Sequence, residues 1–312
     1  MKVKLPNFLI VGAMRSGTTS LWRYLRQHPQ IYMPSLKEPR FLASSVLLKL
    51  GDEFYRFQRV CKSHPACTFD DYIQLFRNAK GENAIGEASP HYLYPYRSTI
   101  PTIKHYLGDV KIIIILRNPV DRAFSAYKHA LLISNKRSPF KEQLPFDKCL
   151  EIEEERRKNE VWPMIHFYKD LGFYYKQVKA YMENFRRVKV CLYDDLNNDA
   201  CGLVKDIFAF LDVDSSFNPD VDIKHNESPQ EKMFLREFIL DYKHPLKKLF
   251  RPVLLKAIGM KKTERLVNFF KRGKQIEMKP ETRSYLIDLY SDDIFKLQDL
   301  IQRDLSSWLK KR

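Results

Sequence analysis

The sequence predicts an α/β fold, a doubly wound central parallel sheet flanked by helices and closed by a helical C-terminal layer. Three observations predict it. Two apolar runs without alternation, Asn7 to Gly12 (NFLIVG) and Lys111 to Arg117 (KIIIILR), each lead into a short loop and then a segment with helical apolar spacing. Weaker strand-like and helical runs alternate between and after them, the order expected of a parallel sheet with ligand sites at the strands' carboxyl ends. From Pro280 to Leu309 the apolar residues recur at helical spacing with no further strand.

Taken in order, Asn7 to Gly12 reads as a strand ending on glycine, and Ser20 to Gln27 as a helix through Leu21, Tyr24 and Leu25. Ala84 to Glu87 is a short strand candidate. Lys111 to Arg117 is β-branched and apolar throughout, as a central strand covered on both faces must be. Asn118-Pro119 breaks it and sets proline in the first turn of a helix carrying Phe124, Tyr127 and Leu131. Leu171 to Phe185 predicts a helix, Val188 to Tyr193 a strand, and Leu203 to Leu211 another helix. Leu286, Leu289, Ile294, Leu297, Leu300 and Ile301 give the last helix its apolar stripe. No internal repeat and no Gly/Ser-rich or Pro-rich linker interrupts the chain, which predicts one domain over residues 1–312.

The composition, 44% hydrophobic and 13% aromatic, is that of a globular chain long enough to bury a core. Lys and Arg number 54 against 38 acidic residues, a net charge of +16 that favours an anionic partner. Nucleotide, nucleic acid, polyanion and membrane surface all satisfy that condition. Met1 to Leu5 lead directly into the first strand, with no apolar leader or cleavage site before it, and the five cysteines show no CxxC spacing. These features predict a reducing, cytoplasmic setting and argue against a zinc site or a disulfide framework. No stretch reaches the roughly 20 apolar residues of a membrane span. Composition carries no signal for oligomeric state.

Chemistry enters at Gly12-Ala13-Met14-Arg15-Ser16-Gly17-Thr18-Thr19-Ser20, between the first strand and the first helix. Successive backbone N–H groups and a helix N-terminus can converge there on one phosphate, a P-loop-type arrangement. Gly12 and Gly17 permit the turn, Thr18 and Thr19 offer hydroxyls, and Arg15 puts a cation at the crest. A Walker A loop would need lysine where Thr18 stands, and no aspartate ends the strong strand to hold magnesium.

On these residues, FLIVGAMRSGTTSLWRYLRQHPQI resembles the 5′-phosphosulfate loop of sulfotransferases that use 3′-phosphoadenosine-5′-phosphosulfate (PAPS), the bacterial and heparan-type branch above all. The resemblance implies that Arg15, Ser16, Gly17, Thr18, Thr19 and Ser20 hold the phosphosulfate, with Arg15 where the family usually has lysine. A second motif, LRNPVDRAFS, aligns Arg117 and Ser125 with the family's grip on the 3′-phosphate. Independently of any family, an arginine at a strand end and a serine about two turns into the next helix can meet over one dianion. Glu87 to Tyr92 (EASPHY), Val190 to Leu196 (VCLYDDL) and Lys224-His225-Asn226 continue the resemblance, placing Tyr193, Lys224, His225 and Asn226 with the nucleotide. Ala88 stands where heparan-type enzymes often carry lysine, which argues against assuming a heparan substrate. The likeness covers about residues 5 to 230 and implies PAPS as co-substrate, 3′,5′-adenosine bisphosphate as product and no metal.

Sulfuryl transfer needs in-line positioning, cations for the leaving phosphate and a base for the acceptor's proton. The resemblance points to Glu38, in Lys37-Glu38-Pro39-Arg40-Phe41, as that base. His91 is the alternative, since its ordinary pKa near 6.5 suits the task. Asp194-Asp195 reads as a solvated strand end rather than a metal pair. Lys243 to Lys274 holds eleven Lys or Arg opposed only by Glu264, a solvated helical face or a surface for an anionic acceptor or acidic lipid. Two other functions compete: an ATP-dependent phosphotransferase, weakened by the absent Walker lysine, and a basic nucleic-acid binder, for which no RNP, KH or finger motif is present.

Overall fold

The structure is a computed structural model and describes residues 4–45, 68–133, 142–158, 162–221 and 276–311. Lys224, His225, Asn226 and the basic run 243–274 lie outside the described residues. By its contacts the chain divides into a unit of residues 1–223 with 280–312 and a second of residues 224–279. The first unit carries the sheet.

Its five parallel strands run β2-β3-β1-β4-β5, with β1 at Phe8–Gly12, β2 at Ile31–Tyr32, β3 at Ala84–Ala88, β4 at Lys111–Leu116 and β5 at Val188–Leu192. Pairing of Phe8 with both Gly86 and Lys111 sets β1 between β3 and β4. The chain winds one way from β1 to the β2 edge and the other way from β4 to β5. A crevice therefore opens at the carboxyl ends of β1 and β4, where ligands of such sheets bind. Ile112 to Leu116 are wholly buried, which is why β4 tolerates no polar alternation.

Helices cover both faces: α1 at Thr18–Leu25, α2 at Phe69–Gln74, α3 at Tyr96–Leu107, α4 at Pro119–Ile133, α5 at Phe146–Glu151, α6 at Glu153–Lys158, α7 at Tyr175–Asn184, α8 at Tyr193–Asn198, α9 at Ala200–Phe210 and α10 at Pro280–Ile301. α10 buries Thr282, Leu286, Ile287, Tyr290, Ile294 and Leu297, leaving the expected Leu289, Leu300 and Ile301 half-buried. Its Asp293 carboxylate accepts from the Tyr175 N–H at 3.1 Å, tying it to the start of α7.

Several boundaries differ from the sequence reading. The helix predicted from Leu171 starts at Tyr175, after a 3-10 turn at Asp170–Gly172. There the Tyr290 hydroxyl donates to the Lys169 carbonyl at 2.8 Å, and a Cβ on Gly172 would stand 2.6 Å from that hydroxyl. β5 ends at Leu192, because Tyr193 already opens α8. Asp194 and Asp195 are accordingly helical, not a strand end: Asp194 accepts from the Trp308 indole at 2.9 Å and Asp195 takes a fork from Arg303.

Candidate active site

The first wall is the loop between β1 and α1. Gly17 caps α1 at φ 92°, a left-handed conformation that L side chains rarely adopt, and a Cβ there would also strike Leu196 and Tyr193 at 2.8 and 2.9 Å. Gly12 is equally constrained, since a Cβ would meet that of Leu93 at 2.4 Å. Arg15 sits at the crest with φ 67°, which turns its side chain across the crevice. Its Nε donates to the Ser125 hydroxyl of α4 at 3.4 Å. Ser16 is fully buried, with its hydroxyl interacting with that of Tyr174. Thr18 is buried, while Thr19 and Ser20 are half-buried in the first turn of α1.

The second wall follows β4. The Arg117 guanidinium donates to the Arg15 carbonyl at 3.4 Å and lies over the Tyr193 ring at 4.7 Å, a cation–π contact. Its own carbonyl accepts from the Tyr174 hydroxyl at 3.1 Å. Ser125 is thus linked to Arg117 through Arg15. Among the described residues neither arginine forms an ion pair with a carboxylate. Burial lowers the Arg15 pKa and Arg117 lowers it further, with Glu38 and Tyr193 acting in the opposite sense.

The third wall is the turn after β2. Glu38 and Arg40 both adopt positive φ, 61° and 57°. The Glu38 N–H donates to the Ala88 carbonyl at 3.1 Å and the Arg40 N–H to the Ser89 hydroxyl at 3.1 Å, so this turn hangs on the end of β3. Glu38 takes the Lys37 ammonium on Oε1 and the Arg40 guanidinium on Oε2 at 2.9 Å; His91 Nδ1 lies 3.8 Å from Oε2. Burial works to raise the Glu38 pKa, but Lys37, Arg40 and His91 together hold it well below the usual carboxylate range. His91 is pushed down to about 3 by burial and then by Arg40, so its imidazole is neutral at physiological pH.

The fold therefore assembles Arg15, Ser16, Gly17, Thr18, Thr19, Ser20, Arg117, Ser125 and Tyr193 in the crevice, with Glu38 and His91 in contact range of each other beside it. Lys224, His225 and Asn226 lie outside the described residues. Sequence reasoning passed over Lys37 as a partner of Glu38, although it is the adjacent residue in a turn broken by Pro39. It also passed over the C-terminal 3-10 turn Ser306–Leu309, whose Trp308 carbonyl accepts from Asn118 at 3.3 Å while its indole reaches Asp194. That turn ties together the segments that carry Arg117 and Tyr193. Among the described residues no three His, Cys, Asp or Glu side chains converge as a metal site requires.

A profile described as "Sulfotransferase family" matches residues 6–218. The crystal structure of a sulfotransferase from Alicyclobacillus acidocaldarius superposes with a TM-score of 0.72 at 32% identity, covering 99% of this chain and 100% of that one. The membrane-associated sulfotransferase kil1 of Dictyostelium discoideum is 36% identical over 137 residues, 43% of this chain and 26% of that protein. The bifunctional heparan sulfate N-deacetylase/N-sulfotransferase 1 of Caenorhabditis elegans is 29% identical over 135 residues, 42% of this chain and 13% of that protein. This chain thus spans only a minor part of the length of both curated relatives.

Proposed function

The chain belongs to the sulfotransferase family, and on that premise we propose that it moves a sulfuryl group from PAPS to a hydroxyl or amine of a carbohydrate, glycolipid or small natural product. The observation that carries the donor assignment is the pair Arg15 and Arg117, linked by the Arg117 guanidinium on the Arg15 carbonyl, unpaired with any carboxylate among the described residues, with Ser125 bonded to Arg15. The buried Ser16 hydroxyl and the Gly12–Gly17 turn fit a phosphate drawn close to the backbone. PAPS supplies an activated sulfuryl group on a good leaving phosphate.

In this reading Arg117 and Ser125 grip the 3′-phosphate, with Tyr193 orienting the Arg117 plane. Thr18, Thr19, Ser20 and the loop amides hold the 5′-phosphate, and Arg15 stabilises the charge that builds there as the sulfur–oxygen bond breaks. Glu38 takes the proton of the acceptor. It is ionised across the neutral range, and desolvation by a bound acceptor raises its basicity from the low value that Lys37 and Arg40 impose. Neutral His91 lies beside it, its Nδ1 3.8 Å from Oε2. The described free cysteines, Cys149, Cys191 and Cys201, accord with a reducing cytoplasm as the place of action. Among the described residues no helix is long and apolar enough to cross a membrane.

Thermal-shift measurements with nucleotides test the donor. Stabilisation by 3′,5′-adenosine bisphosphate and not by ATP with magnesium supports the proposal; the reverse pattern makes the chain a phosphotransferase. A screen of acceptor pools with radiolabelled PAPS then identifies the acceptor class.

A further inference from the structure

Glu87 is the fourth residue of β3, only 1% exposed, and among the described residues no Lys, Arg or His forms an ion pair with it. A carboxyl buried this way is costly, and costs of that kind recur at functional sites. Its Oε2 accepts from the Ser89 hydroxyl at 2.8 Å, and the same hydroxyl oxygen accepts from the Arg40 N–H at 3.1 Å. Arg40 in turn holds Glu38 Oε2. A continuous line of contacts thus runs from Glu87 through Ser89 to the left-handed turn that presents Glu38, a conformation that non-glycine residues keep only when their surroundings enforce it.

We propose that Glu87 is a positioning residue: by accepting from Ser89 it aims that hydroxyl's lone pair at the Arg40 amide and so holds the turn that carries the base. The proposal rests on the reading of Glu38 as the base. The groups facing Glu87 are Lys37 and Glu38 from the turn, Tyr72 from α2, and Ser89 and Tyr92 beyond β3. Burial pushes Glu87 up to about 7, with the Tyr92 and Ser89 hydroxyls opposing, Glu38 adding repulsion and Lys37 relieving it. As pH falls through that value the carboxylate takes a proton, Ser89 loses its ionised acceptor, and turnover declines.

The test compares Glu87→Gln, Glu87→Ala and Ser89→Ala with the unchanged protein. Release of 3′,5′-adenosine bisphosphate from PAPS, with an acceptor drawn from the pool screen, gives kcat and KM between about pH 6 and 8.5. Amide hydrogen exchange over residues 38–42 gives a readout that needs no reaction. The expected result is an acid limb near neutrality that Glu87→Gln abolishes. Glu87→Ala and Ser89→Ala should each lower kcat and speed Arg40 exchange about fivefold to tenfold, the worth of one lost hydrogen bond, with KM for PAPS unchanged. Should Glu87→Ala fail to fold, Ser89→Ala alone carries the comparison. An acid limb that persists unmoved in Glu87→Gln overturns the titration, and unchanged Arg40 exchange and kcat in Ser89→Ala overturn the positioning. A fully active Glu38→Gln protein would instead remove the base assignment, and the exchange data would still judge the contact line by itself.

Discussion

Removing the Arg117 guanidinium should cost most of the grip on the 3′-phosphate of the donor while leaving the fold in place. Arg117 makes one 3.4 Å bond to the Arg15 carbonyl and a 4.7 Å contact with the Tyr193 ring, the latter worth about 0.5–1 kcal/mol. Against this stands its repulsion of Arg15, whose pKa is lowered first by burial and then by Arg117. The two effects oppose, so Arg117→Ala should melt close to the unchanged protein. On binding, a charge-assisted hydrogen bond to a phosphate contributes about 1.5–3 kcal/mol, or tenfold to 150-fold in affinity. Titration calorimetry with 3′,5′-adenosine bisphosphate measures this directly. Arg117→Lys should fall between, because an ammonium keeps the charge but neither the fork nor the planar stacking on Tyr193. Unchanged affinity in a folded Arg117→Ala protein would refute the placement of the 3′-phosphate.

Arg15→Ala should reduce kcat more than donor affinity, since charge accumulates on the leaving phosphate only as the bond breaks, and Arg15→Lys should retain much of the activity; single-turnover kinetics beside equilibrium binding separate the two. Glu38→Gln should bind the bisphosphate normally and lose about a hundredfold to ten-thousandfold in turnover, whereas a dead His91→Ala with an active Glu38→Gln would transfer the role of base to His91. Arg156→Ala should destabilise the fold by about 3–5 kcal/mol, because it strands Glu142, which is fully buried and accepts from Arg156 at 2.7 and 3.1 Å. Burial alone would raise the Glu142 pKa, but Arg156 and Tyr168 hold it at about 2 against an ordinary 4.5. That pair therefore stabilises the protein fully above about pH 4.5, and its contribution disappears as pH falls toward 2, which acid unfolding of the two proteins will show as a difference that vanishes at low pH.

How much was legible depends on how local each signal is. β1 with its loop and α1, and β4 with its loop and α4, are continuous stretches whose strand, turn and helix signals adjoin, so they and the residues they carry, Arg15 to Ser20, Arg117 and Ser125, were readable from the sequence. β2 was not, because two residues, Ile31 and Tyr32, carry no periodicity and form a strand only by pairing with Ala84 and Ile85. α3 holds Pro101 in its interior, a residue that argues against a helix when read locally. The late strand was read one residue too long, since Tyr193 has strand-like character that its packing on Gly17 and Arg117 overrides.

By itself, then, the sequence determined the α/β class, the position of the loop between β1 and α1 and the identity of the cation it carries, because each depends on residues within about two turns of one another. Tertiary structure decided what those residues do to each other. It put the Arg117 guanidinium on the Arg15 carbonyl, hung the Glu38 turn on the end of β3, set His91 3.8 Å from Glu38, and clamped the Asn118 and Asp194 segments with Trp308. Each of these is an electrostatic or hydrogen-bonded contact between segments distant in the chain. Their strength depends on burial and on a few tenths of an ångström, neither of which a linear pattern of residues encodes.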